Sequence, residues 1–212
     1  MKKVFILLSL LLIFYIKGHT QSFDGGLTAG VVTSQINGDG YAGYHQIGWT
    51  AGAFGRIPTN GPSSWQMELK YSLFGAHSSV DEENYGWSPM NIRLHYVELP
   101  LMYRYNLSAI RLYGKPLDFI TFELGISGDF LIRGAQSADN EENFDNPSWL
   151  FFSMTGNVGM QFDFNEHLGV NIRSMNSLTP CRIRPEAPLL SWYHYYNIVL
   201  QASLVYTFGH VN

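Results

Sequence analysis

The sequence predicts an all-β chain: an eight-stranded antiparallel transmembrane β-barrel behind a cleaved signal peptide. Three observations lead there. Side chains alternate between apolar and polar at period two along most of the chain, the signature of strands with one oily and one polar face. A short apolar run follows two lysines at the N-terminus. Charged residues make up only 14% of the chain, against about 25% in soluble domains, while 13 Tyr, 14 Phe and 5 Trp make it rich in aromatics.

Lys2 and Lys3 precede an unbroken apolar run from Val4 to Ile16, and Lys17-Gly18-His19-Thr20-Gln21-Ser22 follows. That is the three-part layout of a secretory signal peptide, with cleavage expected after Thr20. Residues 1–20 are therefore expected to be removed, leaving 21–212 as one barrel domain. The run is too short to span about 30 Å of hydrocarbon, and no later stretch reaches the roughly 18 apolar residues of a membrane helix. No cysteine stands near the cleavage region, which argues against a lipid anchor. Removing Lys2, Lys3 and Lys17 leaves 10 basic against 17 acidic residues, a net charge of −7. Nucleic acid is an unsuitable partner for so acidic a chain. The single Cys181 excludes an internal disulfide, on which small secreted soluble domains often rely.

Eight strand candidates follow in order. In 26–33, Leu27, Ala29 and Val31 alternate with Gly and Thr, and in 46–57 Ile47, Trp49, Ala51 and Ala53 share a face. In 64–75, Trp65, Met67, Leu69, Tyr71 and Leu73 oppose Gln66, Glu68, Lys70 and Ser72. In 92–106, Val97, Leu99, Leu101, Tyr103 and Tyr105 oppose Tyr96, Glu98, Met102 and Arg104. Pro100 lacks a ladder donor, so a bulge or bend is expected there. The fifth, 118–133, sets Ile120, Phe122, Leu124, Ile126, Phe130 and Ile132 against Thr121, Glu123, Ser127, Asp129 and Arg133. It is longer than the roughly 9–11 residues of an oblique crossing, so its Arg133 end should project beyond the lipid. The remaining candidates are 149–164, 166–175 and 196–208. An even count suits closure of an antiparallel barrel.

The connections sort by length. Residues 34–45, 76–91, 134–148 and 176–195 form long polar loops, whereas 58–64 and the Asn165 region are short and 107–117 is intermediate. Long loops on one rim and short turns on the other suit an outer-membrane barrel, with the long loops extracellular and both mature termini periplasmic. A soluble eight-stranded barrel has the same periodicity with its apolar face inward. The composition of the polar face separates the two. Glu68, Lys70, Glu98, Arg104, Glu123, Asp129, Arg133, Asp163 and Arg173 mix balanced charge with small Gly30, Gly52 and Gly125. Such a set can fill a narrow interior with salt bridges. Aromatics gather near strand ends as two girdles: Tyr41, Tyr44, Trp87, Trp149, Trp192, Tyr193, Tyr195 and Tyr196 at the long-loop rim, and Trp65, Tyr103, Tyr105, Phe162, Phe164, Tyr206 and Phe208 at the other.

The run GLTAGVVTSQINGDGYAGYHQIGWTAGAF at 26–54 resembles the first hairpin of the PorT-like outer-membrane β-barrel family common in Bacteroidota. Ser34-Gln35-Ile36-Asn37-Gly38-Asp39 and Gly48-Trp49-Thr50-Ala51-Gly52 carry the likeness, as do YVELPLMYRY at 96–105 and the closing LVYTFG at 204–209. The resemblance covers nearly the whole mature chain and implies fold and location more than activity. Some relatives serve type IX protein secretion and gliding, so the resemblance implies a structural or accessory role in secretion or envelope assembly. Outer-membrane lipid and protein partners, met through the extracellular loops or the barrel wall, are then expected. The tail after Phe208 departs from the family's habit of ending on an aromatic.

Other chemistry is weighed beside its structural alternative. Inward Glu68, Glu98, Arg104, Glu123 and Arg133 could form an ion or proton path, but at this barrel size a structural network is expected. His77 with Ser78, Ser79 and Asp81 is the nearest grouping to a lipid hydrolase site, yet lacks a nucleophile elbow. His95 and His167 stand alone. Asn37-Gly38-Asp39-Gly40 and the acidic loop Asp139 to Asp145 lack the ligand spacing of a Ca²⁺ loop and suit turns. Cys181 in CRIR could have a favoured thiolate; an ordinary loop thiol is the simpler expectation. No catalytic, cofactor or metal residue is assigned. A ligand-binding or pore-forming barrel is the alternative function, and a lipid hydrolase a further one.

Overall fold

The computed structural model describes residues 23–38, 43–59, 61–78, 90–138, 141–143, 149–184, 188 and 194–211. Among the described residues nine strands run in order: β1 (Phe23–Asn37), β2 (Gln46–Pro58), β3 (Ser63–His77), β4 (Met90–Leu112), β5 (Lys115–Ala138), β6 (Glu141–Asn143), β7 (Phe152–Asp163), β8 (Leu168–Ser177) and β9 (Tyr196–Val211). The short β6 only extends the rim beside β5. The other strands pair antiparallel with their neighbours, and β9 pairs β1 to close an eight-stranded barrel. Closure gives each of the eight barrel strands a neighbour on both sides, the condition for backbone to cross lipid.

Alternation decides what faces where. On β3, Trp65, Met67 and Leu69 are exposed while Gln66, Glu68, Lys70 and Ser72 are buried. The same phase places Leu27, Ile47, Leu101, Leu124, Val158, Ile172 and Leu204 outward. An oily exterior around a charged interior is the arrangement of a barrel standing in lipid.

Four local expectations need correction. Residues 107–117 are not a loop: Leu107 pairs Leu117 and Leu112 pairs Lys115, so β4 and β5 continue as a hairpin. Its turn places Tyr113 and Gly114 at φ of 50° and 80°, the two left-handed residues that a type I′ hairpin turn requires. Tyr-Gly is a weaker turn signal than Asn-Gly, which hid the hairpin. At Pro100 there is no bulge. The β3–β4 register is the same at Met67↔Leu101 and Lys70↔Glu98, with pairing lapsing between them, and Pro100↔Ser127 stays in register on the other side. The missing N–H removes a ladder bond without inserting a residue.

The register shift lies higher. Tyr96 pairs Leu131 and His95 pairs Arg133, so Ile132 is an extra residue in β5. A bulge of one residue reverses the facing of everything beyond it. Arg133, expected inward, is therefore exposed on the outer wall opposite His95. Finally, β7 begins at Phe152, and Trp149 is not in a lipid girdle. It is buried in the barrel mouth, bridged to Arg182, with Tyr195 packed beside it.

Candidate functional site

The lumen is filled by polar side chains joined in networks. Arg173, on β8, is its hub: its two terminal nitrogens donate to both Glu68 oxygens at 3.0 and 2.8 Å, and one also donates to Glu123 Oε2 at 2.9 Å. Glu123 accepts further from Arg104 Nε at 2.7 Å and from Asn171 Nδ2 at 2.7 Å. Glu68 accepts from Gln66 Nε2 at 2.7 Å, and Gln66 Oε1 accepts from Arg56 at 3.1 and 3.0 Å. One layer up, Lys70 Nζ lies 3.8 Å from Glu68 and 3.7 Å from Glu98 and donates to Gln201 at 3.0 Å. Ser72 donates to Glu98, while Thr155 and Ser127 donate to Asp129.

All four carboxylates are buried with cations and hydroxyls around them, as charges removed from water require. The backbones also crowd. A Cβ on Gly125 would lie 2.3 Å from the Leu101 carbonyl oxygen, and one on Gly30 2.2 Å from that of Ala202. A residual cavity among Thr28, Glu68, Asn171 and Arg173 measures about 10 Å³, barely the space of one water.

Above this network the filling changes. Val32, Ile36, Phe74, Ala76, Ile92, Leu94, Tyr96, Trp149, Met175, Cys181 and Val199 form an apolar cluster in the mouth. The chain after β8 folds back over it: Leu150 N donates to Cys181 O and Cys181 N to Tyr195 O, each at 2.8 Å. The Arg182 guanidinium lies 5.2 Å from the ring centres of both Trp149 and Tyr195 and donates to Gln136 at 3.1 Å. A cation over two aromatic faces holds this cap by charge–quadrupole attraction as well as contact.

Of the residues singled out from sequence, Glu68, Glu98, Glu123 and Arg104 converge in the lumen and Arg133 does not. Lys70 and Arg173 were recognised as inward but not as the network's connectors; strand parity alone does not tell which partners lie across the barrel. His77 is exposed and Ser78 buried, whereas Ser79 and Asp81 lie outside the described residues, as do Asp39, Gly40, Asp139, Asn140, Asp145, Tyr41, Trp87, Trp192 and Tyr193. His167 sits in the β7–β8 turn against Tyr206, its Nδ1 2.9 Å from the Thr207 carbonyl. Cys181 is fully buried, its thiol donating to Tyr195 O at 3.3 Å, so it is a packed thiol rather than a loop one. The girdle expected at the short-turn rim is in place: Trp65 packs on Tyr103 at 5.2 Å and Tyr206 on Phe208 at 5.8 Å.

Sequence reasoning does not bring one group together, and the structure corrects the expectation that His95 stands alone. Arg93, His95 and Arg133 face outward together at the long-loop end of β4 and β5, around a notch of about 130 Å³. The Tyr71 hydroxyl and His95 Nδ1 are 2.6 Å apart. Partial burial, then the positive charges of Arg133 and Arg93, hold the His95 pKa below its ordinary value.

Residues 19–181 match the family described as "Outer membrane protein beta-barrel domain". No curated protein matches the chain in sequence. Among solved structures it is similar to Ail, the attachment invasion locus protein of Yersinia pestis, crystallised with the heparin analogue sucrose octasulfate. Identity is 12%, the TM-score is 0.48, and the match covers 89% of this chain and 100% of that one. It is also similar to Neisserial surface protein A, with 8% identity, a TM-score of 0.49, and 88% and 97% covered.

Proposed function

Because the chain belongs to the outer membrane protein β-barrel domain family, we propose that it is a non-conducting scaffold in the outer membrane. In this role it presents its long-loop rim and wall to partner proteins. The observation that carries this is the filled lumen: among the described residues, a layer of paired charges lies beneath an apolar mouth, and the cavity beside Arg173 is about 10 Å³. Oriented for this role, the long loops face outside, both mature termini and the Tyr113 hairpin face the periplasm, and a signal peptide is cleaved after Thr20. The likeness of residues 26–54 and 96–105 to PorT-like barrels of Bacteroidota supports placing the partners in protein secretion or envelope assembly.

Two measurements test the proposal. Planar-bilayer recording of the purified full chain should show no stable conductance; steady ion flow would replace the scaffold with a pore. Photo-crosslinking from Ile183, at the mouth, in living cells should trap envelope proteins in discrete adducts. Deleting the gene should then impair export or assembly of surface proteins. A barrel giving no adduct, whose loss leaves the surface proteome unchanged, would sink the scaffold role.

A further inference from the structure

We propose that Glu98 and Asp129, side by side in the lumen, hold one proton between them, so that the filled barrel contains a proton-binding site. The row that carries them runs straight across four strands. Lys70 on β3 pairs Glu98 on β4, Glu98 pairs Asp129 on β5, and Asp129 pairs Ser153 on β7. All four residues are at most 1% exposed. Directly opposed side chains have Cβ atoms about 4.5–5.5 Å apart, and like charges so placed destabilise a sheet. Burial removes the water that would screen them.

The counter-charges go elsewhere. Arg173 donates to Glu68 at 3.0 and 2.8 Å and to Glu123 at 2.9 Å, and Arg104 donates to Glu123 at 2.7 Å. Lys70 Nζ lies 3.8 Å from Glu68 and 3.7 Å from Glu98 Oε2, beyond hydrogen-bond reach of both, and donates to Gln201. Asp129 receives only the neutral hydroxyls of Ser127 and Thr155 and, among the described residues, makes no ion pair. In this stretch of lumen four buried carboxylates, Glu68, Glu98, Glu123 and Asp129, therefore meet three buried cations, Lys70, Arg104 and Arg173. One negative charge is in excess, and a buried charge without compensation is costly. Of the oxygens on these four carboxylates, Glu98 Oε2 alone has no hydrogen-bond partner. A proton on the pair removes the excess charge and supplies the missing hydrogen.

A metal ion suits the place less well. The Lys70 ammonium already lies 3.7 Å from Glu98 Oε2 and repels a second cation, and a hard cation asks for several oxygen ligands. A proton asks for one lone pair. It belongs to the pair rather than to either residue. The charged and titratable groups toward the pair are Glu68 and Lys70 on β3, Tyr96 and Arg104 on β4, Glu123 on β5 and Arg173 on β8, with Cys181 above in the mouth. At this height β1, β2, β7 and β9 present neutral groups, such as Thr50, Ser153 and Gln201. When the proton leaves, the excess charge returns to the lumen and loosens its packing. This holds whichever partners the rim meets.

The test is infrared spectroscopy of the full mature chain in phosphatidylcholine nanodiscs at about pH 7, where exposed carboxyl groups are ionised. The wild type should show the carbonyl band of one protonated carboxyl, and the band should vanish on raising the pH to about 10. Its absence at neutral pH would overturn the proposal. Asp129→Asn and Glu98→Gln should each abolish the band, because one remaining carboxylate no longer needs the proton, whereas Asp118→Asn at the exposed hairpin should keep it. A band that survives both lumen variants would place the proton elsewhere. Should a variant fail to fold, wild-type chain labelled with ¹³C-carboxyl Asp or Glu decides, since the band must shift with one label or the other. Urea unfolding gives an independent reading. A folded chain that binds one proton more than the unfolded chain loses stability as pH rises, its unfolding constant growing about tenfold per pH unit. Asp129→Asn should remove that component. A stability that instead follows sodium or calcium at fixed pH and ionic strength, and does so only with Asp129 intact, would put a metal ion in place of the proton and overturn the proposal.

Discussion

The two ends of the barrel are built on opposite rules. Low on β4, Glu98 and Arg104 point inward while Val97, Leu99 and Leu101 point outward; near its start, Ile92 and Leu94 point inward while Asn91, Arg93 and His95 point outward. β1 repeats this, with Thr28 inside and Leu27 outside low down, then Val32 and Ile36 inside and Thr33 and Gln35 outside higher up. The strand and its alternation continue through the change. What changes is the medium outside the wall. Where lipid surrounds it, apolar residues face out and polar ones must satisfy one another within; where water surrounds it, apolar side chains gain by facing in. The crossover locates the lipid boundary on the molecule, and the two halves should respond differently to the same change.

The largest contrast is in the lumen. Arg173→Met leaves Glu68 and Glu123 buried with fewer counter-charges, and removing one partner of a buried ionic group costs about 3–5 kcal/mol. Urea titration of the refolded barrel in detergent micelles should show that loss. Adding Glu68→Gln and Glu123→Gln should recover much of it, since neutral groups no longer need the cation. A single variant as stable as the wild type would mean that the lumen admits water freely.

Next come two leucines at different heights. Leu94 is wholly buried in the mouth, and Leu94→Ala should cost about 2–5 kcal/mol through lost contacts and a residual cavity. Leu124 faces outward, 52% exposed; Leu124→Ala should cost clearly less, because lipid chains fill the space. Charge should sort the outer wall in the same way. Leu124→Arg is expected to cost about 2–4 kcal/mol, as for a cation near mid-bilayer, whereas Ala135→Arg in the wet collar should stay within about 0.5 kcal/mol. Equal penalties at 124 and 135 would erase the proposed boundary.

Much of this architecture was legible in sequence, because a period of two survives any packing detail: Trp65 to Leu73 and Ile120 to Phe130 could hardly be anything but two-faced strands. The ring of charges in the lumen was legible by parity as well. Its connectivity was not, since Arg173 meets Glu68 only once closure brings β8 across from β3. The bulge was hidden for a different reason. Phe130-Leu131-Ile132 is apolar throughout, so alternation carries no phase there, and parity alone assigns Arg133 to the wrong face. The apolar mouth went unseen because the reversal of the inside–outside rule depends on where lipid ends, which side chains alone do not announce.

The smallest expected effect lies on that boundary, at the contact between Tyr71 and His95. Burial and the neighbouring Arg133 and Arg93 lower the His95 pKa. Between its folded and unfolded values the unfolded chain therefore binds more protons, and stability rises with pH. The contribution of His95 is present above the ordinary value of about 6.5 and is lost as pH falls through the lowered one. NMR titration of the His95 ring in neutral detergent should give a midpoint below 6.5, and Arg133→Gln should move it upward. Were Arg133 inside the barrel, that substitution would leave His95 nearly unmoved, so the midpoint tests the bulge itself. Tyr71→Phe should cost about 0.5–1.5 kcal/mol, the worth of one hydrogen bond. A full effect would show that His95 is held at the edge of the lipid, and none would show that water already satisfies it.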